Sequence, residues 1–209
     1  MSRRSDRPWP DLSEERSLFR ERGVWPMGID EAGRGPWAGP VLAAAVRLDP
    51  ERVPEGLDDS KRLSPNRRAG LDIAIRAVAA VGVGEASVEE IDRLNVHQAT
   101  LLAMSRAALA LGRPYVALVD GRFLPSGVSG RPVPKGDSKS ASIAAASIVA
   151  KVARDTIMRA LAQQHPSYHW EQNKGYGTKE HRDALLQHGP TQHHRRTFRP
   201  LYNMLCPER

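Results

Sequence analysis

Four acidic residues stand where they could hold a metal ion. Asp30 and Glu31 are adjacent, at the junction between an apolar segment and a glycine-rich turn. Asp120 ends a second apolar segment, and Asp137 comes just before a long helical segment. Carboxylates gathered at strand ends repel one another unless a cation joins them, and oxygen ligands with few His or Cys nearby favour Mg²⁺ or Mn²⁺. Such sites are typical of phosphodiester chemistry.

Each of these acids also has a simpler interpretation. Neighbouring strand side chains point to opposite faces, so Asp30 and Glu31 reach one ion only if the strand bends or a backbone carbonyl also ligates. Otherwise they are two solvated carboxylates before a turn. Asp137 could cap the following helix, a role that does not exclude ligation. Asp155, inside that helix beside basic residues, is expected to form ion pairs and is left outside the site.

The elements that must position these acids follow from apolar periodicity and from Gly and Pro punctuation. A hairpin is expected from the segments 27–32 and 41–48, and a loop is expected from 121 to 134. Further strands are predicted at 79–87 and 115–119, and helices at 13–22, 64–77, 95–111, 138–164 and 178–188. The pattern predicts an α/β protein in which Asp120 lies at the end of a strand.

Composition limits the class of protein. The 209 residues suit one compact α/β domain or two small ones, and 40% hydrophobic residues suffice for a core. Cys206 is the single cysteine, which excludes an internal disulfide and a zinc site of the clustered Cys type. No apolar run approaches a membrane span and no secretion signal opens the chain, so a cytoplasmic location without membrane contact is expected. The sequence contains no Walker loop and no dinucleotide fingerprint, so ATP and NAD are not expected as ligands.

The charge is uneven along the chain. Residues 1–130 carry 18 basic and 18 acidic side chains, whereas residues 131–209 carry 13 and 6, so the excess of +7 lies in the last third. This balance favours an anionic partner, nucleic acid first, although basic surfaces also serve solubility or bind other polyanions.

Several motifs in one order resemble ribonuclease HII. The resemblance spans roughly residues 25–200 and rests on Gly28-Ile-Asp-Glu-Ala-Gly-Arg-Gly-Pro, Asp59-Ser-Lys, Asn95…Gln98-Ala-Thr, Val119-Asp-Gly, Lys135-Gly-Asp-Ser…Ala144-Ala-Ala-Ser-Ile…Ala150-Lys-Val…Arg154-Asp, and Lys174-Gly-Tyr-Gly-Thr. Two residues depart from the family pattern. Trp37 replaces a more usual aliphatic residue, and Gly177 stands where proline is often found.

The resemblance implies a fold and a set of site residues. The fold is a ribonuclease H-like mixed sheet flanked by helices, with a small helical C-terminal part. Catalytic and metal-binding roles fall on Asp30, Glu31, Asp120 and Asp137, with Mg²⁺ or Mn²⁺ as cofactor. The loop of Gly33, Arg34 and Gly35, together with Tyr176, is implied to recognise an RNA-to-DNA junction.

The residues themselves leave alternatives open for the substrate contacts. Two glycines let backbone amides approach a sugar-phosphate closely, although the same loop could be an ordinary turn. Tyr176 between two glycines is expected to be exposed, but it could also cover the core. Lysines are candidate phosphate contacts or solvated surface charges, and the histidines are expected at the surface or in core hydrogen bonds. The remaining candidate substrate-binding residues are Ser60, Lys61, Ser138, Lys139, Lys151 and Lys174.

The implied function is a metal-dependent endoribonuclease. It would hydrolyse the RNA strand of RNA/DNA hybrids and incise 5′ of single ribonucleotides in duplex DNA, leaving 5′-phosphate and 3′-hydroxyl ends. A non-catalytic hybrid-binding module would leave four acids near the phosphates unexplained, and a deoxyribonuclease or exonuclease differs mainly in the junction-reading residues. We expect a monomer with three parts: a partly flexible extension (1–24), a catalytic domain (25–164) and a basic, helical substrate-binding part (165–209).

Overall fold

The computed structural model describes residues 9–205, and its centre is one five-stranded sheet. The strand order is β3-β2-β1-β4-β5, in which β1, β2 and β3 are antiparallel neighbours and β4 and β5 continue parallel to β1. The strands are β1 Met27–Ala32, β2 Val41–Arg47, β3 Ala80–Ala86, β4 Val116–Asp120 and β5 Ser129–Val133.

Eight α-helices flank this sheet or follow it within residues 9–205. They are α1 Ser13–Arg22, α2 Pro65–Val78, α3 Val88–Leu94, α4 Val96–Leu111, α5 Ala141–Gln164, α6 Trp170–Asn173, α7 Lys179–His188 and α8 Arg199–Leu205. None of the helices in this part of the chain is long and apolar enough to cross a membrane.

Two hydrophobic cores lie on opposite faces of the sheet. Side chains alternate along β2, so Ala44 and Val46 pack towards α2 and α5, whereas Ala43 and Ala45 pack towards α4. Gly28 allows α5 to lie directly on β1, because a Cβ at this position would be 2.1 Å from the Ser142 backbone. This close approach fixes the position of β1, the strand that carries Asp30, relative to α5.

Most predicted elements are confirmed, and four strands or helices were not foreseen, namely β5, α3, α6 and α8. The hairpin, the two further strands and the five predicted helices form with small shifts at their ends. The loop predicted from 121 to 134 is wrong in part, because β5 occupies Ser129–Val133. Pro132 within this segment argued against a strand. Proline is tolerated here because β5 is an edge strand. The helix α3, which was also missed, begins with a reciprocal capping box between Ser87 and Glu90.

The helix α1 packs against the start of α5. Leu18 is buried, and the buried Glu15 carboxylate accepts hydrogen bonds from Ser140 Oγ at 2.6 Å and the Ser142 amide at 2.8 Å. α1 begins at Ser13, whose amide donates to the Asp11 carboxylate at 2.8 Å. The described residues of the N-terminal segment are therefore anchored at one end of α5, close to the turn that carries Asp137.

Candidate active site

Adjacent strands bring three of the four predicted carboxylates together. β1 and β4 run in parallel with Ile29 opposite Val119, so Asp30 and Asp120 follow side by side at the same edge of the sheet. One carboxylate oxygen from each of Asp30, Glu31 and Asp120 lies within 4.8 Å of the others. Glu31 reaches this group although it neighbours Asp30 on the strand, and the Arg34 guanidinium lies 3.3 Å from its carboxylate. We call these three acids the carboxylate cluster.

Asp30 is the most buried acid of the carboxylate cluster. Its side chain is buried, and burial together with the charges of Glu31 and Asp120 holds its pKa well above the usual range. One carboxylate oxygen accepts the Glu31 amide at 2.7 Å, which offsets only part of this penalty. A bound cation would reverse the effect, because three negative oxygens would then face a positive charge.

Asp137 lies beside the carboxylate cluster and not within it. It sits on a 3₁₀ turn, Gly136–Ser138, which is tied to Asp120 because the Gly136 amide donates to that carboxylate at 2.7 Å. Lys61 Nζ is 3.9 Å from the Asp137 carboxylate. Burial, followed by the charges of Asp59 and Asp120, raises the pKa of Asp137 to about 6.

The donor set of the carboxylate cluster fits a hard divalent cation. The ligand atoms are carboxylate oxygens from Asp30, Glu31 and Asp120, and no histidine or cysteine joins the group among the residues described. Repulsion at the buried Asp30 also favours a cation there. Either Mg²⁺ or Mn²⁺ is compatible with such ligands.

A cleft of about 430 Å³ leads from these carboxylates across the glycine-rich loop. Gly33 adopts φ +101°, which a side chain would strain, and a Cβ there would also meet the Arg154 guanidinium at 2.1 Å. The predicted substrate residues that line this cleft are Gly33, Arg34, Gly35, Ser60, Lys61, Lys151 and Tyr176. Sequence reasoning thus placed seven residues on one surface with the carboxylate cluster.

Three other predicted substrate residues do not line the cleft. Ser138 and Lys139 directly follow Asp137, and the Ser138 hydroxyl donates to the Lys135 carbonyl at 2.9 Å. The Lys174 ammonium donates to the Glu171 carbonyl.

Two basic residues of the cleft were missed as site residues, namely Arg68 and Arg154. Arg68 lies on α2 in a region without a distinctive motif, so no sequence signal identified it. Arg154 belongs to a recognised motif, yet only the tertiary fold carries it beneath the glycine-rich loop. Asp155 lies outside the site as expected, because it pairs with Lys151 at 2.8 Å.

A second cleft adjoins the first across the carboxylates. It shares Glu31, Arg34 and Asp120 with the first cleft and adds His97, Arg122 and Phe123. The imidazole of His97 meets the exposed Phe123 ring edge-on at a centroid distance of 4.9 Å. The carboxylate cluster therefore lies between two open surfaces, as cleavage within a long polymer requires.

Tyr176 is exposed at the edge of the first cleft, as predicted. About half of its surface is accessible, and the residue opposite is Gly35, where a Cβ would meet the tyrosine ring at 3.4 Å. The loop that carries Tyr176 is tied to the glycine-rich loop because the Trp37 amide donates to the Gly175 carbonyl at 2.7 Å. The two segments predicted to read the junction thus form one surface.

Two histidines support the Tyr176 loop from inside. His181 Nδ1 lies 2.9 Å from the Tyr176 carbonyl, and His181 Nε2 lies 3.0 Å from His194 Nε2. The Thr191 amide donates to His194 Nδ1, which leaves Nε2 of His194 as the proton donor to His181. Both histidines are buried and hydrogen-bonded, which is one of the two placements expected for the histidines.

A mixed sheet flanked by helices, with carboxylates at the ends of adjacent strands, defines the ribonuclease H class of hydrolases. The model of the family described as Ribonuclease HII matches residues 27–204. The chain belongs to the ribonuclease HII family, a family of divalent-metal-dependent endoribonucleases, and this membership supports ribonuclease H activity on RNA/DNA hybrids. The family resemblance and the fold expected from it are thereby confirmed.

Curated relatives and solved structures agree with this assignment. A ribonuclease HII of Cereibacter sphaeroides (strain KD131) is 56% identical over 202 residues, covering 95% of each chain. That of Jannaschia sp. is 55% identical over 200 residues, covering 94% of this chain and 98% of the relative. The structure of the PCNA:RNase HII complex from Archaeoglobus fulgidus matches with a TM-score of 0.73 and 26% identity, covering 88% of this chain and 97% of that one. Bst-RNase HIII in complex with Mn²⁺ shares the fold with a TM-score of 0.74 at 18% identity, covering 98% and 76%.

Proposed function

We propose that this protein incises duplex DNA on the 5′ side of a single embedded ribonucleotide, in addition to cleaving RNA/DNA hybrids. The products carry a 3′-hydroxyl upstream and a 5′-phosphate on the ribonucleotide downstream. The observation that supports this proposal is the shared cleft, in which the carboxylate cluster faces Gly33–Gly35 and Tyr176. Such an activity would serve ribonucleotide removal from DNA.

The chemical step is assigned to the acids at the strand ends. Asp30, Glu31 and Asp120 would hold the divalent metal, with Asp137 as a further catalytic acid on the adjoining turn. Mg²⁺ or Mn²⁺ in this site supplies activation of the attacking water and charge stabilisation at the leaving oxygen. The pKa of Asp137, raised to about 6, leaves this acid able to exchange a proton near neutral pH.

Recognition of the ribonucleotide is assigned to the two loops. A single 2′-hydroxyl is the only chemical difference between the substrate and DNA, so discrimination requires groups that hydrogen-bond it and groups that sense the neighbouring deoxyribose. The glycine-rich loop brings backbone amides close to the sugar. The exposed ring of Tyr176 offers a flat surface for a sugar without a 2′-hydroxyl.

A non-catalytic binding module is the weaker alternative. Lys61, Arg68 and Lys151 make the rim of the cleft basic, which suits a phosphate backbone. Three acids at its base would oppose such binding unless a cation joined them.

We also propose that the protein acts as a monomer, because one chain supplies every group of the cleft.

The decisive experiment compares substrates and tyrosine variants. Tyr176→Ala should lower kcat/KM for a duplex with one ribonucleotide by about tenfold, because stacking on an aromatic ring is worth about 1–3 kcal/mol. The Ki of an all-DNA duplex as competitor should rise by less than this factor, because most of its affinity comes from phosphate contacts that are independent of Tyr176. Phe19, an exposed aromatic residue on α1 that lines neither cleft, provides the control Phe19→Ala with unchanged rates.

Two outcomes would contradict the proposal. One is cleavage by the wild-type protein that requires several consecutive ribonucleotides. The other is equal incision by Tyr176→Ala, which would remove Tyr176 from junction reading. Mapping the ends of both fragments by mass spectrometry decides between incision on the 5′ and on the 3′ side.

A further inference from the structure

Two arginines are buried beneath the cleft. Arg154 and Arg195 are 1% and 0% exposed, and neither forms an ion pair with a carboxylate of residues 9–205. Burial lowers the pKa of Arg195 to about 9 and that of Arg154 to about 10. An uncompensated buried charge is destabilising, so these guanidinium groups must be held by other interactions.

Backbone carbonyls satisfy Arg195. Its Nη1 donates to the Arg34 carbonyl at 3.0 Å and its Nη2 to the Gly33 carbonyl at 2.6 Å. Its Nε and Nη2 also donate to the Gly39 carbonyl at 2.9 and 2.8 Å. One planar guanidinium thus holds both peptide groups of the glycine-rich loop and the residue where this loop returns to the sheet.

Arg154 connects the same region to the loop of Tyr176. Its guanidinium donates to the Pro40, Ala38 and Lys174 carbonyls, each at 3.0 Å. Gly33 packs against this side chain so closely that a Cβ would be 2.1 Å from Nε. The two arginines therefore join the glycine-rich loop and the loop of Tyr176 to α5 and to the segment that carries Arg195.

The direction of these carbonyls determines the direction of the amides. The peptide bonds joining Gly33, Arg34 and Gly35 are trans, and in a trans peptide the C=O and N–H groups point in opposite directions. The carbonyls of Gly33 and Arg34 point inward to Arg195, so the amides of Arg34 and Gly35 point away from it. The cleft lies on that side, since the loop lines it and the buried Arg195 does not.

Within residues 9–205 the amides of Arg34 and Gly35 have no hydrogen-bond acceptor. Neither the Arg34 nor the Gly35 N–H donates to an acceptor in the described part of the chain. An unpartnered pair of donors, aimed by a buried cation into a cleft that also holds three carboxylates, is suited to an uncharged hydroxyl or to a phosphate oxygen of a ligand.

We propose that Arg195 is the positioning residue for ribose recognition: it fixes the carbonyls of Gly33 and Arg34 so that the amides of Arg34 and Gly35 donate to the ribose 2′-hydroxyl. The proposal deepens the function proposed above and rests on it for the identity of the ligand. It assigns a role to a residue that touches neither metal ligand nor substrate and lies about 160 positions from the loop in sequence.

The test compares conservative variants of a buried arginine and an exposed one. Arg195→Lys keeps the charge but loses the planar fork that holds two carbonyls at once. We expect kcat/KM for the single-ribonucleotide duplex to fall about tenfold, with the Ki of an all-DNA competitor within about twofold. Arg93→Lys on α3 is the control, because Arg93 is exposed, lines neither cleft and should leave both constants unchanged.

A measurement on the wild-type protein protects the test against misfolding of the variant. The amide protons of Arg34 and Gly35 should exchange rapidly with solvent in the free protein and become protected when a single-ribonucleotide duplex binds. An all-DNA duplex should protect them less. Protection of these amides in the free protein would show that they point inward and would overturn the proposal.

The outcomes separate this inference from the proposed function. If the wild-type protein incises the single-ribonucleotide duplex and folded Arg195→Lys does so equally well, the inference fails and the proposed function stands. If the wild-type protein cleaves only hybrids, the proposed incision at single ribonucleotides fails. The inference about Arg195 would still be supported if Arg195→Lys lost about tenfold in kcat/KM for the hybrid and the Arg34 and Gly35 amide protons of the free wild-type protein exchanged rapidly.

Discussion

Trp37 and Gly177, the two departures from the family pattern, meet in space. A Cβ at position 177 would lie 2.3 Å from both Cε2 and Cζ2 of the Trp37 ring. Carbon atoms in contact are normally about 3.5–4.0 Å apart, so the ring would have to retreat by more than about 1 Å. We therefore predict that the absence of a side chain at Gly177 accommodates the indole, and that the two positions are energetically coupled.

The predicted magnitude follows from how the indole is held. The ring packs against a buried cluster that includes Met158, Tyr168 and Trp170, so it cannot retreat without losing contacts. Forcing an extra carbon into such packing costs about 1–3 kcal/mol. Gly177→Ala should lower the free energy of unfolding by that amount, whereas the same change in a Trp37→Leu background should cost about 0.5 kcal/mol or less.

Urea unfolding followed by far-ultraviolet circular dichroism measures this double-mutant cycle, because that signal does not depend on the indole that is removed. Gly70 on α2 is the matched control, since nothing lies within 4 Å of a Cβ there. Gly70→Ala should stabilise the protein by about 0.5–1 kcal/mol and show no coupling to Trp37. Additivity of Gly177→Ala and Trp37→Leu within about 0.5 kcal/mol would refute the reasoning.

Three further predictions concern metal binding, pH and salt. Asp30→Asn should abolish cleavage, and retained turnover would contradict the metal site. In EDTA the same change should raise the melting temperature, because it removes a buried carboxylate whose pKa is raised by burial and by its acidic neighbours. Burial and the neighbouring His181 lower the pKa of His194 from 6.5 to about 3, so the unfolded chain binds an extra proton between these values and unfolding becomes easier as pH falls. His194→Gln should reduce the slope of unfolding free energy between pH 6 and pH 4 by up to about 1.4 kcal/mol per pH unit, as measured in urea; an unchanged slope would exclude this titration. Hybrid affinity should fall steeply with salt, and Lys61→Ala should lower the log-log slope by about 1 in fluorescence anisotropy, whereas an affinity independent of salt would contradict phosphate contacts in the cleft.

Local sequence determined the elements and the types of residue available for chemistry. Apolar runs and Gly or Pro punctuation were enough to predict β1, β2 and the end of β4 at Asp120, because strand and helix formation depend on neighbouring residues. Ser64 and Pro65 were likewise enough for the start of α2, where the Ser64 hydroxyl accepts the Arg67 amide. The motifs also indicated the family, since their order along the chain is itself sequence information.

Tertiary structure decided what those residues touch. The sequence alone grouped Asp137 with the other acids, yet its turn holds it beside Lys61 and outside the 4.8 Å cluster. It also placed Arg195 within a basic substrate-binding part (165–209), whereas the fold buries this residue completely under Gly33 and Arg34. Such contacts join segments far apart in the chain and depend on how helices and strands pack, so no local pattern encodes them.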